Sequence, residues 1–229
     1  LVRMMKYYGI NGIGFNSEFK TSSEIMSQLS EFFVACHKEA EKLNWKFEVH
    51  WYDGTGDDGR IHFDGGLGNH NQKIFGNKDN IATDMLFANY NWGPSHLRGS
   101  VSTAQRLGRS SFDYYAGFDI QGRGLRQASW SALLDNDISI GFWGAHKQSL
   151  IHQSATDNGT SDIAIQKTYL KKQELMFSGG YNNPALLPAI NTDCNLANAS
   201  LKNFHGLATF LTAKSTIQQV PFVSRFNLG

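Results

Sequence analysis

Short apolar strands alternate with helical segments along most of this chain. Runs rich in β-branched and aromatic residues predict strands at residues 9–19, 45–53, 84–90, 112–119 and 138–143. Helical periodicity lies between and after them, at residues 21–43, 95–108, 130–134, 167–177 and 201–211. Because alternating strands and helices form parallel βα units, the sequence predicts an α/β fold with a parallel sheet.

Polar and aromatic side chains gather where the predicted strands end. In a (β/α)8 TIM barrel the active site is built at the carboxyl ends of the strands. We therefore expect this chain to supply strands 4–8 of such a barrel, with strands 1–3 preceding Leu1. A doubly wound open sheet is the structural alternative, but it does not need such residues on every strand.

The first nine residues look like the end of a helix that stops at Gly9. The chain has no initiator Met and no signal peptide. These features predict that residues 1–229 are the C-terminal part of a single TIM-barrel catalytic domain, with the first strands elsewhere in the same polypeptide.

Composition argues against two classes of partner. The chain has 21 basic and 20 acidic side chains, a formal net charge of +1, whereas nucleic-acid binding requires a clear basic excess. The sequence contains no run of 18 apolar residues that could cross a membrane. Cys36 and Cys194 are too few to define a disulfide framework. We therefore expect neither a nucleic acid nor a membrane as partner.

The sequence predicts no metal and no cofactor. The loop at residues 53–59 is rich in Asp and Gly, but its glycine register is wrong for a calcium loop and no bidentate Glu follows. Residues 122–124 lack the third glycine of a dinucleotide fingerprint. The 8 histidines are scattered, without an i, i+4 pair of the kind that binds zinc.

The end of the first strand carries an amide and an acid two residues apart. Successive side chains of a strand point to opposite faces, so Asn16 and Glu18 share a face. Their Cβ atoms would lie roughly 6–7 Å apart. The two polar groups would therefore lie side by side over one small ligand.

Five short motifs follow one another along the chain. They occupy residues 15–18 (Phe-Asn-Ser-Glu), 51–54 (Trp-Tyr-Asp-Gly), 87–92, 117–124 and 221–229. In this order and at these spacings they resemble glycoside hydrolase family 85, although no single motif is specific alone. The resemblance spans nearly the whole chain and implies a retaining endo-β-N-acetylglucosaminidase that cuts the GlcNAc-β1,4-GlcNAc chitobiose core of N-linked glycans.

The resemblance also implies roles for individual residues. Asn16 matches the amide that orients the substrate's 2-acetamido group, Glu18 the general acid/base, and Tyr52 the phenol that contacts the same acetamido region. The side chains implied to bind the glycan or shape the site are Trp51, Asp53, Phe63, Asn89, Trp92, Asp119, Arg123 and Trp143. Phe63-Asp64-Gly65 departs from the family's usual Trp-Gln-Asn, so one aromatic platform is smaller and an amide is lost.

The implied chemistry is substrate-assisted, which is an exception among glycosidases. The N-acetyl carbonyl attacks the anomeric carbon while Glu18 protonates the leaving oxygen, and an oxazolinium forms that water or, in transglycosylation, another acceptor opens. Asn16 suits this route because an amide holds the developing oxazolinium without adding a full negative charge. Glu18 must carry a proton when it acts, so we expect it to be buried among aromatic side chains.

The resemblance implies partners and a location as well. The substrate is an N-linked glycan or glycoprotein, and further segments of the same polypeptide (barrel strands 1–3 and β-sandwich domains) complete the protein. A secreted or cell-surface location is expected, with the cytoplasm as the alternative. A glycan-binding barrel without hydrolysis is the competing function, and a glycan-release assay separates the two.

Overall fold

The computed structural model describes residues 1–119, 130–144, 161–178, 194–196, 199–201 and 206–210. The chain divides into two compact units, Leu1–Leu150 and Ile151–Gly229. The first unit contains a parallel sheet and its flanking helices, and the second contains a long helix and a short hairpin. The single domain over 1–229 stays a prediction.

Parallel strands dominate the first unit. Its described strands are β1 (Gly12–Phe15), β2 (Glu48–Tyr52), β3 (Gly76–Asn77), β4 (Asn80–Ile81), β5 (Met85–Phe87), β6 (Tyr114–Asp119) and β7 (Ser139–Trp143). Five of them form one parallel sheet in the order β1-β2-β5-β6-β7, while β3 and β4 form a separate antiparallel pair. The predicted α/β class and parallel sheet are confirmed. The described strands do not close into a barrel, because β1 and β7 lie at the two edges of the sheet.

Helices follow the strands as the sequence predicts. The first unit contains α1 (Val2–Tyr8), α2 (Ser23–Lys42), α3 (Gln72–Phe75), α4 (Pro94–Arg106), α5 (Trp130–Leu134) and a 3-10 turn at Ser111–Asp113. Gly9 ends α1 in the left-handed conformation (φ 71°), which confirms the predicted glycine stop. The Ser22 hydroxyl caps α2 by accepting from the Ile25 amide at 3.3 Å. Among the described residues, no helix has the length and apolar character to cross a lipid bilayer.

The buried stripe of α2 differs partly from the prediction. Periodicity predicts a buried stripe at Ile25, Leu29, Phe32 or Phe33, Cys36, Ala40 and Leu43. Phe33, Cys36 and Ala40 are buried as predicted, whereas Ile25 and Phe32 are 48% and 47% exposed. Met26 is buried instead of Ile25. Neighbouring residues of a helix point about 100° apart, so only one of each pair can face the sheet. Phe33 does so, and its ring lies 6.1 Å from that of Trp51.

The two faces of the sheet have different surroundings. Burial along β2 alternates, with Val49 and Trp51 fully buried and His50 and Tyr52 only partly so. The buried face continues across the neighbouring strands through side chains that are 0% exposed: Leu86, Tyr114 and Ala116. The helix α2 covers this face at Trp51. The opposite face is the one that carries the predicted catalytic side chain Tyr52.

The second unit contains helix α6 (Asp162–Ser178), strands β8 (Cys194–Leu196) and β9 (Ala199–Leu201), and a 3-10 turn at Leu207–Phe210. The α6 helix confirms the predicted helix at 167–177. The helix predicted at 201–211 is wrong where it is described, because Leu201 ends an antiparallel hairpin. Gly206 has a φ of 88°, which an α-helix cannot contain. The predicted extended segment 221–229 lies outside the described residues.

Candidate active site

The segment that follows β1 makes a tight turn, in which the Glu18 amide donates to the Asn16 carbonyl at 3.0 Å. Ser17 is fully buried, and its hydroxyl donates to the Tyr52 carbonyl. Its neighbours Asn16 and Glu18 are both exposed. Asn16 and Glu18 are thus both accessible on either side of the buried Ser17, and their placement on one shared face stays a prediction.

A close backbone contact brings this segment to the end of β2. The Thr55 amide donates to the Ser17 carbonyl at 2.6 Å. A Cβ at Gly54 would overlap that carbonyl oxygen and would lie 3.4 Å from Glu18 Cγ. Only glycine therefore allows the two segments to approach this closely, and the approach places Glu18 beside the Tyr52 end of β2.

A cavity of about 390 Å³ opens on the less buried face of the sheet. It is lined by Gly14, Phe15, Asn16, His50, Trp51, Tyr52, Met85, Phe87, Tyr90 and Trp143. The cavity thus brings together two predicted catalytic residues, Asn16 and Tyr52, with Trp143. A larger groove of about 700 Å³ lies along α2, α3 and the end of α4, and it contains none of the predicted site residues.

Tyr52 is held by its hydroxyl and by its ring. The hydroxyl donates to Asn89 Oδ1 at 2.8 Å, and the ring centroid lies 6.1 Å from that of Phe63. Burial raises the pKa of Tyr52, and the nearby Tyr90 and Glu18 raise it further. The phenol therefore stays protonated and donates its hydrogen bond to Asn89.

Asn89 begins a chain of amide hydrogen bonds that ends at Phe63. Asn89 Nδ2 donates to Asn91 Oδ1 at 3.1 Å, and Asn91 Nδ2 donates to the Phe63 carbonyl at 2.8 Å. Phe63 has a φ of 54°, which is uncommon for a residue with a side chain. The predicted glycan-binding residues Asn89 and Phe63 are therefore connected to Tyr52.

Asp53 is 3% exposed and is surrounded by hydrogen-bond donors. It accepts from the Gly65 amide at 2.6 Å, from Asn71 Nδ2 at 2.9 Å and from the Asn89 amide at 3.5 Å. Burial raises the pKa of Asp53 to about 7, against the opposing effect of these donors. Its carboxylate joins three loop segments, and it does not line the cavity.

Two predicted glycan-binding tryptophans are buried. Trp51 is 0% exposed and donates from Nε1 to the Thr55 carbonyl at 3.3 Å. Trp92 is 7% exposed and donates from Nε1 to the Gly117 carbonyl at 2.7 Å. Both indoles pack inside this unit, and their glycan contacts stay predictions.

Two of the last three predicted binding residues end neighbouring strands of the sheet. Asp119 ends β6 and stands in register with Trp143 of β7. Trp143 is 53% exposed and lines the cavity. Arg123 lies outside the described residues.

The predicted burial of Glu18 among aromatic side chains is wrong for the described part of the chain. Glu18 is exposed and does not line the 390 Å³ cavity. The physical reason is its position, since β1 is an edge strand that pairs only with β2 among the described strands. Nothing on the other side of β1 in the described part of the chain covers this carboxylate.

Three side chains with metal-ligand atoms lie together in the loop after β2, although sequence spacing did not predict it. The ligand atoms of His62, Asp64 and His70 lie within 4.8 Å of one another. The two imidazole rings are stacked at 3.9 Å and nearly parallel, with an interplanar angle of 11°. An ion in the plane of one ring lies outside the plane of the other, so both cannot ligate it in this arrangement. Each histidine instead bonds an aspartate, Asp58 or Asp64, at 2.8 and 2.9 Å.

Sequence reasoning missed several side chains that line the cavity. His50 lies two residues before Tyr52, and Met85 and Phe87 precede Asn89 at the same spacing. The period of two along a strand could have identified these three. Tyr90 follows β5 in a loop, where no periodicity applies.

The chain is similar to known proteins over part or most of its length. The chain matches the cytosolic endo-beta-N-acetylglucosaminidases of Gallus gallus and Danio rerio with 30% and 29% identity over 124 residues, 54% of this chain. It spans only 16% of the length of each relative. The crystal structure of the glycoside hydrolase domain of Endo-D from Streptococcus pneumoniae R6 aligns with a TM-score of 0.64 at 26% identity, covering 87% of this chain and 31% of that one.

The widest match is to a family rather than to one protein. Glycosyl hydrolase family 85 matches residues 1–229. The match includes both the open parallel sheet and the segments that carry Asn16, Glu18 and Tyr52. This chain belongs to glycosyl hydrolase family 85.

Proposed function

We propose that this chain is the part of an endo-β-N-acetylglucosaminidase that carries its catalytic acid, and that the enzyme hydrolyses the GlcNAc-β1,4-GlcNAc bond of N-linked glycans. One observation carries the proposal: a member of this family has Asn16 and Tyr52 lining one cavity, with Glu18 Cγ lying against Gly54, two residues after Tyr52. The relatives named as endo-β-N-acetylglucosaminidases support the same activity.

The proposed reaction has two steps at the anomeric carbon. In the first, the carbonyl oxygen of the substrate's 2-acetamido group attacks this carbon while Glu18 gives its proton to the departing glycosidic oxygen. In the second, Glu18 takes a proton from water, and that water opens the oxazolinium from the opposite face. Two inversions retain the configuration, and a sugar hydroxyl in place of water gives transglycosylation.

The surroundings of Asp53 favour this route over one with two carboxylates. A retaining enzyme with an acid and a nucleophile needs both carboxyl groups about 5–5.5 Å apart at the scissile bond. Asp53 is the acid nearest to Tyr52 in the chain, but it is buried and bonded to Gly65 and Asn71. The substrate's own acetamido oxygen therefore replaces the second carboxylate, and the amide of Asn16 orients it.

The remaining predicted site residues have different roles in this proposal. Trp143 and Phe63 contact the glycan with their exposed or half-exposed rings. Asn89 orients Tyr52 through the 2.8 Å hydrogen bond. Three buried side chains hold the segments that form the site: Trp51, Asp53 and Trp92. Asp119, the last residue of β6, shapes its side of the site, and Arg123, outside the described residues, keeps its predicted role in shaping the site or contacting the glycan.

We also propose that the five parallel strands are strands 4–8 of a (β/α)8 barrel, with further segments of the same polypeptide supplying the others. Two observations support this. The described sheet has free edges at β1 and β7, and the chain aligns with only 31% of the Endo-D glycoside hydrolase domain. A segment beside β1 would also cover Glu18. For location, the names of the two cytosolic relatives favour the cytoplasm over the secreted alternative.

The direct test is Glu18→Gln in the full-length enzyme, assayed for release of glycan from a glycoprotein. General acid–base groups contribute typically 10²–10⁴-fold, so release should fall by about that factor while glycan binding persists. Glu41→Gln, which removes an exposed carboxylate from α2, is the matched control and should release glycan normally. Unchanged release by Glu18→Gln would end the proposal, and a wild type that binds glycan without cleaving it would indicate a glycan-binding barrel.

A second test isolates the amide. Asn16→Gln displaces the carboxamide that holds the acetamido group, so hydrolysis of the natural glycan should be slow. A preformed sugar oxazoline has already completed this step, and its transfer to an acceptor should persist. Equal losses on the two donors would contradict the proposed role of Asn16.

A further inference from the structure

Glu18 lies on backbone that the sheet does not hold. The strand β1 ends at Phe15, so Asn16 to Phe19 extend beyond the ladder that pairs β1 with β2. The Glu18 side chain is exposed, so packing does not fix it. Catalysis by an acid requires its oxygen to be placed to within a fraction of an ångström, so other contacts must hold this segment.

Thr55 supplies contacts on both sides of Glu18. Its side chain is 1% exposed. Its hydroxyl lies 2.6 Å from the Phe19 carbonyl and 2.9 Å from the Ser17 carbonyl, and it accepts from the Phe19 amide at 3.2 Å. Its own amide donates to the Ser17 carbonyl at 2.6 Å. One residue thus bonds the backbone immediately before and immediately after the acid.

We propose that Thr55 is a positioning residue for Glu18: it holds residues 17 and 19 by their backbone so that the side chain of residue 18 is directed toward Tyr52. This inference rests on the proposed function. Thr55 bonds the backbone of Ser17 and of Phe19, and the Glu18 amide between them donates to the Asn16 carbonyl at 3.0 Å, so the backbone of residue 18 is fixed from both sides. Rotation of this segment would leave the buried Thr55 hydroxyl without partners, which is unfavourable.

Thr55 is itself held by the core. Trp51 Nε1 donates to its carbonyl at 3.3 Å, and Trp51 is fully buried. Thr55 also forms an isolated antiparallel bridge with Ile61. The position of Glu18 is therefore determined through Thr55 by the packed face of the sheet, although the acid itself is exposed.

Three variants of the full-length enzyme test the inference. Thr55→Val keeps the shape and removes the hydroxyl, while Thr55→Ser keeps the hydroxyl. Thr83→Val is the matched control, because Thr83 is also fully buried and its hydroxyl donates to one carbonyl, that of Ile74, at 3.0 Å. Glycan release is measured as kcat and KM, and hydrogen exchange is measured at the amides of residues 16–20.

Misplacing a catalytic group by about 1 Å can lower the rate by about 10²-fold, so Thr55→Val should lower kcat by roughly tenfold to 100-fold with KM little changed. Thr55→Ser should keep kcat within about threefold of the wild-type value, and Thr83→Val should leave kcat unchanged. Exchange at the Phe19 amide should accelerate in Thr55→Val alone. Equal kcat in Thr55→Val and Thr83→Val would overturn the inference.

The exchange measurement separates this inference from the proposed function. If the wild type does not cleave glycan, the proposed function fails. Unchanged exchange at the Phe19 amide in Thr55→Val would still refute the positioning role of Thr55. If Glu18→Gln is inactive and Thr55→Val is as active as the wild type, only the positioning role fails.

Discussion

The two faces of the central sheet differ in what their side chains do. On the face toward α2, Trp51 and Leu86 are 0% exposed and pack against apolar neighbours. On the other face, Tyr52 and Phe87 line a cavity of about 390 Å³ and are only partly buried. Trp51 and Tyr52 are adjacent on β2, and Leu86 and Phe87 are adjacent on β5. A step of one residue along a strand therefore separates a structural role from a proposed role in the site.

Because the two faces differ, substitutions at neighbouring positions of one strand should affect stability and turnover differently. A side chain on the packed face contributes to the free energy of unfolding and reaches the chemistry only through the backbone. A side chain on the cavity face contributes little to folding and should alter turnover. Thr55 links the two faces, because it is buried beside Trp51 and bonds the segment that carries Glu18.

The largest effect on stability is expected on the packed face. Leu86→Ala leaves a cavity in a fully buried site, and such changes destabilise by about 2–5 kcal/mol. Urea unfolding should show this loss, while kcat per folded molecule stays at the wild-type value. Met85→Ala on the partly buried cavity face is the matched control, and a loss as large as that of Leu86→Ala would contradict the difference between the faces.

Between the two faces, the larger effect on turnover at constant stability is expected from Tyr52→Phe. This change removes the hydroxyl that donates to Asn89. Losing one positioned donor at a reacting centre lowers kcat by about 10²–10³-fold, so glycan release should fall by that order. Tyr114→Phe is the same change on the packed face, where the hydroxyl donates to the Gly65 carbonyl. It should lower stability by about 0.5–1.5 kcal/mol and leave kcat unchanged, and the reverse pattern would refute the comparison.

Stability should depend on pH through Asp53. Its pKa is about 7 in the folded chain against 3.8 as the reference value, so the folded state binds the proton more tightly. The stability from this proton is fully present below about pH 4 and is lost as pH rises through 7. At about 1.4 kcal/mol per pKa unit, the change amounts to a few kcal/mol in thermal or urea unfolding.

Unfolding measured over the same pH range also identifies which carboxylate causes the pH dependence of stability. Asp53→Asn should remove this part of the pH dependence, because the amide does not titrate. Asp79→Asn changes an exposed carboxylate and should leave the pH profile as in the wild type. Parallel profiles for the wild type and Asp53→Asn would show that the buried carboxylate is not the source.

The smallest effect is expected at Phe63. Phe63→Trp enlarges the aromatic surface that lies 6.1 Å from the Tyr52 ring. Aromatic contacts of this kind are worth about 0.5–1.5 kcal/mol, so KM for the glycan should fall severalfold with kcat unchanged. A higher KM would show that the ring at position 63 limits the space for the glycan.

Much of the fold could be predicted from the chain alone. The alternation of strands and helices predicts the parallel sheet, and the glycine stop at Gly9 is found where expected. The hairpin of β8 and β9 was missed, since residues 201–211 look helical by composition while Gly206 has a left-handed φ. In the α2 stripe Ile25 was wrong, and the choice between Phe32 and Phe33 stayed open because periodicity cannot separate consecutive apolar residues.

The residue types of the candidate site could be predicted from the sequence, but the burial and the hydrogen-bond partners of these residues could not. The motifs identify Asn16, Glu18 and Tyr52. They do not show that Asp53 is closed in by Gly65 and Asn71, because those donors come from a loop more than ten residues away. Nor do they show that His62 stacks on His70, which depends on how that loop folds.

The parallel α/β architecture, the family and the side chains that share a strand face can be inferred from the chain alone, because local periodicity and motif order encode them. The tertiary structure alone decided which of those side chains are buried, which backbone each polar group bonds, and that Thr55 reaches both sides of Glu18. The reason is physical: periodicity is a property of neighbouring residues, whereas burial and hydrogen bonding depend on segments that are distant in the chain and meet only on folding.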